Sequence, residues 1–228
     1  MSKTPDTLFG PAVLRDHYDL LRRYIGSAQS IHTVILAALS RQLGLPQQSS
    51  LLNIHRISEP SGDQIRITHA PLSTGIQDKE RMKLGEHTDF GSLSLLFNRL
   101  GGLQVLPPGQ EEWHYVRPLK GHAIVNLGDA MVKFTNGLLR SNIHRVVSPP
   151  GPQASMPRVS IVYFMRPEDS AILKRLDGSK LIPALAEGQV EETICAKDWL
   201  HRRVVMRMKG FFSPEKWDQT LGTEVRVS

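Results

Sequence analysis

The residues of this chain best able to do chemistry together are His87 and Asp89, in Gly85-Glu86-His87-Thr88-Asp89-Phe90-Gly91, with His144 in Ser141-Asn142-Ile143-His144-Arg145-Val146-Val147. Two histidines and one carboxylate can occupy one triangular face of a six-coordinate iron, which leaves the opposite face open for a co-substrate and dioxygen. The spacing suits that task. Residues i and i+2 of a strand point to the same side, so His87 and Asp89 can reach one ion without backbone strain. The third ligand must then come from a strand distant in sequence but adjacent in the fold, and His144 sits in an apolar, β-branched run of that kind. Arg158 and Ser160 form a second i, i+2 pair, ahead of the apolar run Ile161-Val162-Tyr163-Phe164. A guanidinium fork with a hydroxyl beside it is a receptor for a carboxylate, and an arginine at the mouth of a buried strand needs an anion. Either pair taken alone reads more readily as polar residues on a solvated strand; the surrounding sequence has to decide.

The elements that must position these residues are legible in outline. Residues 12–43 carry apolar positions at helical spacing and stop at Gly44 and Pro46. Residues 51–57 and 64–69 alternate as strands, with residues 58–63 as the turn between them. Gly101-Gly102 opens a further strand, and residues 107–112 form a hairpin loop that returns through Trp113 to Val116. From 86 to 165 short strands and turn signals follow one another, which predicts a sandwich or barrel. Helices are expected near 171–175 and 196–207. Asn126, Asp129 and Asn136 lie in or beside Gly128-Asp129 and Asn136-Gly137 and read as turn-formers, because Asx side chains bond their own backbone. His17, His32, His55, His114, His122 and His201 lack a spaced partner and read as surface or core residues.

At 228 residues the chain is expected to form one domain: a helical lead-in over about 1–46, a β core over about 51–168, and C-terminal helices and loops over about 169–228. No secretory signal or membrane-spanning run is evident, and the single cysteine, Cys195, suits a reducing interior; a cytoplasmic location is expected. The net charge of +6 raises the question of a polyanionic partner. The basic residues are scattered without interleaved aromatics, so no nucleic acid and no membrane partner is expected.

Five blocks in order resemble the iron(II)/2-oxoglutarate-dependent dioxygenases of the isopenicillin N synthase-like family. They are residues 85–97; Gly101-Gly102-Leu103-Gln104-Val105 with Trp113, Val116 and Pro118; residues 121–130, leading to Thr135-Asn136-Gly137; His144-Arg145-Val146-Val147; and Arg158-Val159-Ser160-Ile161-Val162-Tyr163-Phe164. The resemblance is closest to fungal members. It implies a mainly β fold with flanking helices, the double-stranded β-helix or jelly roll. It also implies Fe(II) on His87, Asp89 and His144, with the far carboxylate of 2-oxoglutarate on Arg158 and Ser160. No catalytic residue is implied beyond the metal ligands. The implied reaction uses O2 to hydroxylate, desaturate or cyclise a small organic metabolite in specialised biosynthesis.

Two departures qualify what the resemblance implies. Family members usually carry a long N-terminal stretch that this chain lacks, so an uncovered sheet edge and self-association through it are expected. In Arg66-Ile67-Thr68-His69-Ala70-Pro71 the family usually has one or two tyrosines before the proline, one of which often helps hold 2-oxoglutarate; here His69 and Ala70 stand there, and His69 is the candidate replacement. The charged segment 72–84 is expected to cover the site instead. Alternative readings are an iron-dependent oxidase that does not use 2-oxoglutarate, with Arg158 and Ser160 holding a substrate carboxylate, and a non-redox binding or isomerising protein on the same fold.

Overall fold

The computed structural model describes residues 12–71 and 84–208. The lead-in is a short helix α1 (Ala12–Asp16) followed by α2 (Tyr18–Gln42). Along α2 the buried positions Ala28, His32, Leu36 and Ser40 recur every four residues, so one stripe faces the body of the protein. The helix ends in a Schellman motif. Gly44 takes φ +64°, the Leu45 N–H donates to Ser40 O, and the Gly44 N–H donates to Arg41 O.

The strand expected over 51–57 is instead a short 3-10 turn, Leu51–Ile54. Local side-chain chemistry favours the turn: Ser50 Oγ accepts from Leu52 N, and Ser40 Oγ accepts from Leu51 N. Leu51 is thereby fully buried. Residues 171–175, expected to be helical, run as irregular chain. Ile172 bridges Cys195 while Leu173 N and Ala196 N bond across the two segments, so tertiary pairing overrides the weak local helix signal.

The body is two four-stranded antiparallel sheets. Its strands are β1 (Gln64–Ala70), β2 (Leu84–His87), β3 (Leu93–Asn98), β4 (Leu103–Leu106), β5 (His114–Tyr115), β6 (Ile124–Leu127), β7 (Ile143–Val146) and β8 (Arg158–Met165). The major sheet has the order β1-β8-β3-β6 and the minor sheet β2-β7-β4-β5. Apart from the β4–β5 hairpin, successive strands pass between the sheets, which is the jelly-roll winding of a double-stranded β-helix. Helix α3 (Asp129–Phe134) follows β6, and α4 (Ala196–Met208) closes the described chain. No helix among the described residues is long and apolar enough to cross a membrane.

The main apolar core lies outside the space between the sheets. Leu93, Leu95, Tyr163 and Met165 leave the major sheet towards α2 and α3, where they pack with Leu36, Met131 and Phe134. Strand parity then sends the intervening residues to the other face. Ser94 pairs with Phe164 on one side and Asn126 on the other, and Thr68 and Asn98 flank Ser160. The inward face therefore carries these polar side chains among Leu96, Ile124, Val162 and Phe164, and a site can form there.

Candidate metal centre

His87 ends β2 and lies directly across from His144 on β7, so the minor sheet's own register brings the two imidazoles together, ring centroids 4.3 Å apart. Asp89 follows two residues later, after the chain has left β2. Its Oδ1 lies 3.8 Å from His87 Nε2 and 3.7 Å from His144 Nε2. Among the described residues this is the one group of three or more potential ligands close enough to share an ion. A slight closure of the two rings would bring all three atoms to the roughly 2.0–2.2 Å of imidazole and carboxylate bonds to a first-row divalent ion.

The remaining polar atoms of the triad are already committed. His87 Nδ1 is 2.8 Å from Gly85 O and His144 Nδ1 is 3.1 Å from Asn142 O, which places the proton on Nδ1 and leaves each Nε2 lone pair directed at the centre. Asp89 Oδ2 accepts from Ser94 Oγ (2.6 Å) and Asn126 Nδ2 (2.8 Å), so only Oδ1 is offered to an ion. Burial pushes the Asp89 carboxyl pKa up. His144, His87 and these two hydrogen bonds outweigh burial and hold it below the usual carboxylate range. A buried, ionised carboxylate with one oxygen anchored and two lone pairs beside it fits a divalent cation, and the two nitrogens fit iron.

Asn126, read from sequence as a turn-former, is thus an anchor of the candidate ligand. Ser94 was not singled out at all. The missing signal was register: Ser94 and Asn126 face one another across β3 and β6, and a single sequence does not show which strands pair. Asp129 does serve the turn, and also more than the turn. Its N–H donates to Asp89 O, while its carboxylate accepts from Thr88 Oγ1 (3.0 Å) and from Arg203 Nη2 of α4 (2.7 Å). Gly128 makes this close approach possible, since a Cβ there would lie 2.2 Å from Gly91 O. Asn136 behaves as expected of a turn residue, at φ +44° with its amide donating to Pro183 O and Ala184 O.

Arg158 and Ser160 are both buried on the inward face of β8, while Val159 between them is exposed. Arg158 Nε donates to Gly101 O (2.9 Å), which fixes the fork. Gly102, at φ +98°, lets this backbone pass: a Cβ would meet Val147 O at 2.5 Å. Among the described residues no carboxylate forms an ion pair with Arg158, and burial lowers its pKa. A buried cation without a counter-ion fits a carboxylate ligand. His69 does not join this pair. It pairs with Val159 on the outward face of β1 and is exposed, whereas Thr68 and Ala70 share the face of Ser160 and Arg158. The one-residue offset that defines strand parity separates it from the site. Residues 72–83 of the expected covering segment lie outside the described residues. A cavity of about 330 Å³ adjoins His87 and Asp89; a larger one, about 460 Å³, lies under α2 and does not reach the triad.

Residues 61–167 match the model of the 2OG-Fe(II) oxygenase superfamily. A 2-oxoglutarate-dependent dioxygenase of Aspergillus fumigatus is 34% identical over 207 residues, covering 83% of this chain and 54% of that protein. The 2-oxoglutarate-dependent dioxygenase iboH of Amanita muscaria is 34% identical over 170 residues, 74% of this chain and 81% of its own length. The chain thus spans about half of the first relative and most of the second. The full-length Neurospora crassa protein crystallised with alpha-KG and 5-formyluracil superposes with a TM-score of 0.72 at 24% identity, over 89% of this chain and 62% of that one. A 2OG-Fe(II) oxygenase family protein of Caulobacter crescentus gives 0.72 at 23%, over 91% and 67%. These two likenesses bear on the fold and agree with the jelly-roll winding. Motif order, ligand geometry and 34% identity across 81% of the Amanita protein converge: the chain belongs to the 2OG-Fe(II) oxygenase superfamily.

Proposed function

We propose that this chain holds Fe(II) on His87, Asp89 and His144, binds 2-oxoglutarate with Arg158 and Ser160, and oxidises a small organic metabolite in specialised biosynthesis. The observation that carries the reading is the convergence of His87 Nε2, His144 Nε2 and Asp89 Oδ1, with every other polar atom of the three side chains already bonded. Bound iron and 2-oxoglutarate supply the activation of O2, in which 2-oxoglutarate leaves as succinate and carbon dioxide and the substrate is hydroxylated, desaturated or cyclised. The protein's part is orientation. Gly85 O and Asn142 O hold the imidazole tautomers, Ser94 and Asn126 hold Asp89 to one donor oxygen, and Gly101 O aims the Arg158 fork. No side chain of the protein is required as an acid or base.

The test is release of carbon dioxide from 1-labelled 2-oxoglutarate by the Fe(II)-loaded protein in air. Release is expected from the unaltered chain and not from Asp89→Ala. Undiminished release by Asp89→Ala would overturn the ligand assignment. Ala70 directly opposite Arg158 favours one second reading, an oxidase in which Arg158 holds a substrate carboxylate and 2-oxoglutarate is not used. Iron binding without any carbon dioxide release would support it.

Two coarser readings accompany this one. The single cysteine supports a cytoplasmic location. Strand β1 ends the major sheet and pairs only with β8 among the described strands, which supports self-association through that edge. Sedimentation should then show dimer growing with concentration, and a clean monomer throughout would contradict it.

A further inference from the structure

The inward face of β8 continues past the co-substrate pair. Counting by twos from Arg158 gives Ser160, Val162, Phe164 and then Arg166, just beyond the strand end. Arg66 of β1 shares that face, next to Gln64, which pairs with Phe164. Both guanidinium groups lie near the Phe164 ring, with carbons 5.3 Å (Arg66) and 5.8 Å (Arg166) from its centroid. Both line the 330 Å³ cavity that opens onto His87 and Asp89, together with Gln64 and Phe90. Arg158 does not line it.

No carboxylate among the described residues forms an ion pair with Arg66 or Arg166. The nearby Asp63 is committed to the Tyr163 hydroxyl and the Arg166 backbone N–H. Arg166 Nε is buried with no hydrogen-bond partner, and its Nη2 makes only a long 3.4 Å bond to Gln64 Oε1. Burial disfavours its charged form, as does the neighbouring Arg66, and outweighs the opposing pull of Asp63 and Asp89. A half-buried guanidinium whose Nε is buried without a partner, with a second, exposed guanidinium and the Phe164 ring beside it, is suited to receive an anion.

We propose that the substrate oxidised at this centre is a carboxylic acid, its carboxylate held by Arg166 with Arg66 at the rim, and its apolar body laid against Phe164 and Phe90 towards the metal face. This rests on the dioxygenase reading and adds the substrate class. The cavity volume admits a small molecule rather than a peptide.

The test is anaerobic calorimetry on the Fe(II)- and 2-oxoglutarate-loaded protein. It is titrated with a panel of straight-chain and aryl-substituted monocarboxylates of six to twelve carbons, each alongside its carboxamide. At least one acid should bind ten-fold or more tightly than its amide. That preference should be lost in Arg166→Gln and reduced in Arg66→Gln, while both variants keep the visible charge-transfer band of the 2-oxoglutarate chelate. No acid preferred over its amide, or a preference that survives in Arg166→Gln, would overturn the proposal. Loss of the band in Arg166→Gln would also overturn it, by assigning these arginines to the co-substrate. Absence of the band in the unaltered protein would be a failure of the dioxygenase reading itself, and is seen before any acid is added.

Discussion

At the residue scale, the candidate ligands were readable because they stand within sequence blocks that follow one another in order. Their supports were not readable, because Ser and Asn are common and acquire meaning only from a cross-strand neighbour. Ser94 and Asn126 grip the oxygen of Asp89 that does not face the histidines. Removing such a support frees the carboxylate to rotate, so Asn126→Ala should weaken Fe(II) binding by about 10–100-fold with the fold intact, measured by anaerobic metal titration. Unchanged affinity would show that the bond does not orient the ligand. His32 makes a separate prediction. It is fully buried against the Tyr163 ring with neither nitrogen bonded, and its pKa is lowered to about 4, by burial first, with Asp63 opposing and His55 adding to the shift. The unfolded chain takes up this proton near pH 6.5 and the folded one does not, so stability is present above 6.5 and is lost as pH falls towards 4. Urea midpoints should show about 2 kcal/mol of loss from this group between pH 7 and pH 5, and that component should be absent in His32→Leu.

At the element scale, the turn from β6 into α3 and the packing of α4 set where the ligands sit. Backbone bonds from Gly128, Asp129 and Ala130 pin this turn to residues 89–92, the segment that carries Asp89. Gly128→Ala drives a methyl into Gly91 O, and about 2–4 kcal/mol of destabilisation is expected, read as a fall in the urea midpoint together with weaker metal binding. Arg203 reaches from α4 to the buried Asp129 and covers the Phe90 ring at 4.8 Å. Arg203→Leu strands a buried carboxylate, and a loss of about 3–5 kcal/mol is expected in the same assay. Helices α2 and α4 and most strands were legible from periodicity and stop signals. The 51–54 turn and the 171–175 segment were not, since serine caps and tertiary bridges decided them. Parity explains the rest. Counting by twos from Arg158 to Arg166 was possible in the sequence, whereas the exclusion of His69 needed the β1–β8 register.

At the scale of the whole molecule, the apolar core lies behind the major sheet and the polar site lies between the two sheets. That division follows from one alternating pattern: in β3, Leu93 and Leu95 turn to the helices while Ser94 turns to Asp89. The fold was legible because short strands, turn residues and motif order agree. The pairing of strands far apart in sequence, β2 with β7 and β1 with β8, became visible only in three dimensions. The central claim is that this pairing builds an Fe(II) centre that chelates 2-oxoglutarate. Its most direct test is to add Fe(II) and then 2-oxoglutarate to the metal-free protein without oxygen and record the visible spectrum. The unaltered chain should show a charge-transfer band, Asp89→Ala none, and Arg158→Gln a band only at much higher 2-oxoglutarate. No band in the unaltered protein at saturating 2-oxoglutarate, with iron bound, would contradict it.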